Sequence, residues 1–159
     1  MNNAGVMFKL DKQIASVTRK MNEVTYDAMV LVIERIDEVS PVGDVALWKY
    51  PQRAPKNYVG GQFRGNWQLG VDSAPTGDLP GNIDPSGVQT VAANISKLPQ
   101  MASRHKYYLV NNLPYAVRID QGWSHKAAAN HMMARVRSEF AGIVKKVVSD
   151  IKAGGGRVR

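Results

Sequence analysis

His105, His125 and His131 are the histidines of this chain, and Asp120 stands shortly before His125. Two imidazoles and one carboxylate are a sufficient protein ligand set for a catalytic zinc ion, which would make the chain a metal hydrolase. The spacing argues against that chemistry. His125 and His131 are six residues apart, which does not put them on one helical face. None of the three sits in a His-Glu-x-x-His pattern. There is no Gly-x-Ser-x-Gly elbow, and Gly60-Gly61 lacks the downstream Gly-Lys-Ser/Thr of a phosphate loop. No acidic pair stands out for general acid/base work. With no cysteine, disulfides, thiolate zinc sites and cysteine nucleophiles are excluded together. The expectation is a protein that is not an enzyme and needs no metal or cofactor.

Charge gives a second lead. The net charge is +8 over 159 residues. Residues 1–80 carry nine basic and nine acidic side chains, whereas residues 81–159 carry twelve and four. All the excess lies in the second half, where it would attract nucleic acid or an acidic protein surface. The candidate contacts are Lys145, Lys146 and Lys152 on a basic helix, with Arg157 and Arg159 beyond Gly154-Gly155-Gly156. A solvated helix face with a basic tail accounts for the same residues. No helix-turn-helix, zinc knuckle or aromatic RNA-binding strand is visible, so any contact would be with phosphates.

Positioning such groups takes a framework. The length suits one domain, assigned to residues 1–152, with 153–159 as a flexible basic tail. A helix is predicted over 11–39, with Asp11 as N-cap and Ser40-Pro41 as its stop. Its stripe of Leu10, Ile14, Val17, Met21, Val24, Ala28 and Leu31 steps by four and three. At ~1.5 Å per residue it is long for so small a domain, and its outer end would reach a neighbour or span its own sheet. Residues 41–62 are punctuated by proline and glycine, and interleave Trp48, Tyr50 and Tyr58 with Lys49, Arg53 and Lys56. Those aromatics would dock on a partner or fold back on their own domain.

Residues 63–73 read as a strand with Trp67 on one face and Arg64 and Asn66 on the other, the latter two turned toward a neighbour. A turn-rich loop follows over 74–83. Residues 84–95 read equally as a helix capped by Asp84, with Val88, Val91, Ala92 and Ile95 on its apolar face, or as a strand. A strand over 106–111, a helical turn over 115–121 stopped by Gly122 and covered by Trp123, and a helix over 132–152 complete the chain. The last helix buries Met132, Val136, Phe140, Ile143, Val147 and Ile151. The predicted class is α+β, with long N- and C-terminal helices on one antiparallel sheet and long irregular loops. No apolar run reaches the ~20 residues of a membrane span, and the N-terminus lacks signal-peptide features. The protein is expected in the cytoplasm when made, with no membrane partner.

Four stretches stand out in order. They are Ser40-Pro41-Val42-Gly43 with Leu47-Trp48-Lys49; Tyr58-Val59-Gly60-Gly61-Gln62-Phe63-Arg64-Gly65-Asn66-Trp67-Gln68; Asn111-Asn112-Leu113-Pro114-Tyr115-Ala116 running to Asp120-Gln121-Gly122-Trp123-Ser124; and Ala128-Ala129-Asn130-His131-Met132-Met133. Together, over residues 10–150, the chain resembles the tail-completion, or neck, proteins of tailed bacteriophages and prophages. It departs from them after Val42, where the family often has an acid-threonine-glycine turn. It departs again at Ala129-Asn130-His131-Met132, where the family often has Ala-Pro-x-Gly-Met.

The resemblance implies a structural virion protein of the neck. Its copies would form a homo-oligomeric ring between the portal/adaptor proteins and the tail tube or tail terminator proteins, with DNA passing through. Trp48, Tyr50, Arg53, Tyr58, Arg64 and Asn66 are then the candidate interface residues. Lys145, Lys146, Lys152, Arg157 and Arg159 are candidates for channel DNA or an acidic partner. The alternative is a non-specific nucleic-acid-binding module that uses the basic C-terminal half.

Overall fold

The computed structural model describes residues 3–47, 50–122 and 129–155. Five helices and two strands follow in the order α1 (Asn3–Glu38), α2 (Gln62–Gly65), β1 (Trp67–Val71), α3 (Val88–Ile95), β2 (Tyr107–Asn111), α4 (Ala116–Gln121) and α5 (Met132–Lys152). Single 3-10 turns lie at Val45–Leu47, Pro51–Arg53 and Ala102–Arg104. The class is α+β, as the sequence predicts. None of the described helices is long and apolar enough to cross a membrane.

β1 and β2 form a two-stranded antiparallel sheet in which Trp67 faces Asn111, Leu69 faces Leu109 and Val71 faces Tyr107. A lone pair of strands is marginal in water and must be covered. Helix α1 covers one face through two clusters. One joins Ile36 to Phe63, Trp67, Leu113, Met132 and Val136, and the other joins Val30 and Ile33 to Leu69 and Leu98. Leu109 packs against both. The other face of β1 is covered by the segment after it, where Gln68 Nε2 donates to the Gly77 carbonyl at 2.9 Å.

The outer edge of β1 is closed by a side chain. Asn94 Oδ1 accepts the Leu69 N–H and its Nδ2 donates to the Trp67 carbonyl, both at 2.8 Å. One amide thus supplies what a third strand would supply, and the edge is not left to pair with another chain.

Several expectations are corrected. Helix α1 begins at Asn3, so Asp11 is an interior helical residue and not a cap. Nothing between Asn3 and Asp11 breaks a helix except Gly5, and one glycine costs only about 1 kcal/mol. The strand predicted over 63–73 opens instead as a helical turn. Gly61 takes φ +107, and the Gly65 N–H reaches back to the Gly61 carbonyl at 2.8 Å. Arg64 and Asn66 are therefore on a turn and not on a strand face opposite Trp67.

The stretch 84–95 is helical from Val88 onward; Val91 and Ile95 pack on the core as expected, the most buried positions are the polar pair Thr90 and Asn94, and Val88 stands 67% exposed. Phe140, expected in the core, is 48% exposed. Helix α5 has the predicted bounds. Residues 153–155 form its C-cap: Gly154 (φ +79) donates to the Ile151 carbonyl and Gly155 to that of Asp150. This pairing of hydrogen bonds is the Schellman arrangement.

The largest departure concerns α1. At ~1.5 Å per residue its 36 residues extend about 54 Å. Only its C-terminal third, from Asp27 on, contributes fully buried residues. Met7, Leu10, Ile14, Val17 and Met21 are 45–57% exposed. The stripe visible in the sequence is real, but its first half stays exposed, with Ile14 bordering a cleft shared with Gln100, Met101 and Arg104.

Candidate functional site

The four sequence blocks that carry the family resemblance are joined by hydrogen bonds at one corner of the fold. Ser40, just past α1, is at its centre. Its Oγ accepts the Trp67 Nε1–H at 2.8 Å and donates to the Ile36 carbonyl at 2.6 Å, with Met132 Sδ 3.6 Å away. The Gly61 N–H donates to the Val42 carbonyl, and Asn111 Nδ2 donates to the Phe63 carbonyl at 2.8 Å. Tyr115 hydroxyl and Gln62 Oε1 are 3.3 Å apart. Phe63 meets Trp67 edge-on at 5.9 Å. These blocks therefore tie the end of α1 to the start of α5 through the sheet.

Arg64 belongs to this corner. Its two terminal nitrogens donate to the Ser40 and Pro85 carbonyls, each at 2.8 Å, and its Nε lies 3.7 Å from Asp37 Oδ2. Asn66 is 0% exposed, donating to the Gln62 and Leu79 carbonyls and accepting the Leu79 N–H. Asn66 has no side-chain surface for a partner, and Arg64 is committed to the fold of its own chain. Both act as braces for the loops around them.

Two buried carboxylates flank Arg64 and differ in environment. Burial pushes Asp37 up to about 6, against the pull of Arg64 and with the push of Asp84 and Glu38. Its Oδ1 has no hydrogen-bond partner. Burial pushes Asp84 upward too, but it is outweighed by hydrogen bonds from the Thr90 N–H, the Ser86 hydroxyl, the Thr90 hydroxyl and the Gly87 N–H, which hold it below the usual range. Asp84 is thus the cap of α3 acting from outside the helix. Gly87, at φ +76, is where the two meet: a Cβ there would strike the Asp37 carboxylate.

Of the hydrolase trio, Asp120 and His131 are among the described residues. Asp120 Oδ1 accepts the Met133 N–H at 3.1 Å, and its carbonyl accepts the His131 N–H at 2.8 Å. It serves as the N-terminal cap of α5, where a negative charge is favoured. His131 precedes that helix at φ +49 and is exposed. His125 and Trp123 lie outside the described residues. His105 pairs with Asp72 at 2.7 Å, at the end of the sheet. No cluster of three His, Cys, Asp or Glu suited to a metal occurs among the described residues.

Of the other predicted interface residues, Tyr50 is exposed and carries Arg53 over its ring at 4.7 Å. Tyr58 is half-buried beside Gly43. Trp48 lies outside the described residues, as do Arg157 and Arg159. Lys145, Lys146 and Lys152 are exposed on α5, with Lys146 3.7 Å from Asp150.

The unexpected surfaces are apolar. One is the bare stripe of α1. The other is a groove of about 200 Å³ between α1, β2 and α5, lined by Val32, Ile36, Leu109, Met133, Val136 and Phe140 with Arg137 at its side. Beside it Arg35 grips Glu139 through two nitrogens, at 2.7 and 3.0 Å, and Glu38 through a third at 3.0 Å, locking α1 to α5. The stripe was legible in the sequence as periodicity. The groove was not, because it needs residues from three separate elements. No family model, curated protein or solved structure matches this chain.

Proposed function

We propose that this chain is a structural protein of the neck of a tailed bacteriophage, a tail-completion or head–tail connector subunit. It forms a ring between the portal/adaptor proteins and the tail tube or terminator proteins. The observation that carries this reading is the ordered set of four sequence blocks. Their hydrogen bonding to one another around Ser40 supports it, since residues that define such a family without catalysing anything should be those that define its fold. A helix three times as long as the stretch that its own core buries supports an assembling subunit. The loop over 41–61 and the loop between β1 and α3 are the remaining surfaces for neighbours. On this reading the protein has no catalytic residue, metal or cofactor.

The test is made on particles. Phage lacking the protein should accumulate DNA-filled heads and separate tails. Labelled antibody should mark the junction in complete virions. Joined, infectious particles without the protein, or label confined to the capsid shell or tail tip, would sink the reading.

A second reading has its own observation, the outward lysines of α5 in a chain of net charge +8. A channel-lining role predicts DNA binding that is weak, indifferent to sequence and lost as salt rises. Titrating two unrelated duplexes across a salt series decides the matter. Tight binding at physiological salt that discriminates between them would put a nucleic-acid-binding module first.

A further inference from the structure

We propose that copies of this chain associate head to tail, with the free half of α1 of one copy laying its stripe against the α1–β2–α5 groove of the next. The stripe presents Met7, Leu10, Ile14, Val17 and Met21 at alternating steps of three and four, all exposed. That spacing makes a row of knobs on one side of a helix. The groove is concave and apolar, and its 200 Å³ matches one or two such knobs rather than a whole helix. A void of about 150 Å³ already holds a group the size of benzene.

The occupant is a second copy, for three reasons. First, the stripe centres near Ile14 and the groove near Val32 and Ile36 on the same unbroken helix, so they are held about 30 Å apart. No chain can fill its own groove with its own stripe. Second, charge is segregated along α1. Residues 3–23 hold Lys9, Lys12, Arg19 and Lys20 against Asp11 and Glu23, a balance of +2, while in residues 24–38 Asp27 and Asp37 are buried, which leaves Glu34 and Glu38 against Arg35, a balance of −1. A head-to-tail shift brings the basic half toward the end of α1 that carries Glu34 and Glu38, whereas two stripes face to face would set like charge on like. Third, the stripe exposes on the order of 500 Å² of apolar side chain, over half of the ~800 Å² that each partner contributes to a standard interface.

A convex surface meeting a concave one elsewhere on the same molecule is a heterologous contact, which closes into a ring or runs on as a filament. For closure into a ring the inference rests on the neck reading above. The contact itself does not.

The experiment uses the full chain without other phage proteins. Sedimentation across micromolar to millimolar concentration should show self-association. Ile14→Asp on the stripe and Phe140→Asp in the groove should each weaken it by about 100-fold or more, because each buries a charge at the contact. Both side chains are about half exposed, so helix content and melting should be unchanged. Met133→Lys serves as a second groove variant should Phe140→Asp lower the melting temperature.

The deciding sample is an equimolar mixture of the two variants. One intact stripe and one intact groove remain between them, so the mixture should form a dimer and stop there. A groove variant that assembles like the natural protein, a mixture that stays monomeric, or a natural chain that is monomeric at millimolar concentration each overturns the proposal. Its failure is separable from that of the neck reading. Rings at the neck that survive Ile14→Asp would remove this contact alone, and head-to-tail assembly of a protein missing from the neck would remove the other.

Discussion

Replacing Trp67 with alanine lowers the stability of the folded chain by about 4 kcal/mol, within the ~3–5 kcal/mol range for truncating a buried aromatic. Trp67 is buried, meets Phe63 edge-on and donates its indole N–H to Ser40 Oγ at 2.8 Å. The variant loses apolar burial and leaves a void between α1 and the sheet. It also frees the Ser40 hydroxyl that links the end of α1 to Met132. A total of ~5–15 kcal/mol is typical of such domains, so the variant should be near its melting point at physiological temperature. Urea titration is the measurement. Trp67→Phe, which keeps a ring but loses the hydrogen bond, should cost about 1–2 kcal/mol. Unchanged stability with lost assembly would show Trp67 to be a partner contact instead. Tyr115 is only half-buried, so Tyr115→Ala should cost less.

Asp84→Ala should cost about 3 kcal/mol at neutral pH, because four donors lose a charged acceptor in a buried place. Its pH dependence identifies the cause. The carboxyl of Asp84 sits below its ordinary value, so its contribution is present above about pH 4, where the unfolded side chain ionises, and is lost as pH falls through the folded value. The gap between natural protein and variant should close on acidification. Asp37 behaves in the opposite sense. Its carboxyl is raised to about 6, so the stability it confers is full below about pH 4 and is lost as pH rises through 6. Asp37→Asn should therefore stabilise the fold at pH 8, by about 1 kcal/mol, and leave it unchanged at pH 4. A pH-independent deficit for Asp84→Ala, or an Asp37→Asn protein that is less stable than the natural one at pH 8, would refute this electrostatic account.

How much of this was legible in the sequence depends on whether a residue acts through period or through partners. Helix α5, strand β2 and the α4 turn follow from apolar spacing and from Pro114 and Gly122, which act locally. The start of α1 was misread because Asp11 has the chemistry of a cap but no break in the chain before it. The turn at 62–65 was misread because Gly61 dictates it by taking a left-handed conformation, which alternation of side chains cannot reveal. Asn94 gave no signal. An asparagine on a short helix reads as solvent-facing, and its role appears only when the open edge of β1 is beside it. The same holds for Asn66 and Arg64, whose polarity suggested a partner while their partners were backbone carbonyls of their own loops. The candidate trio of Asp120, His125 and His131 shows the converse. Asp120 and His131, near in sequence, meet where α5 starts and Asp120 accepts the Met133 N–H there, while His125 lies outside the described residues.

The division of the core along α1 also sets an order of events during synthesis. The cluster around Val30, Ile33, Leu69 and Leu98, with Leu109 and Tyr107 packed on it, is drawn from residues no later than 109. The cluster around Ile36 and Trp67 needs Met132 and Val136 from the last helix. On a ribosome adding about 5–20 residues per second, the first can close while the second still lacks its lid. The nascent chain then holds the apolar side of Ile36, Phe63 and Trp67 open to water until α5 emerges. The final helix is the latch of this domain, and the interval before it closes is when the chain is most exposed to aggregation and proteolysis.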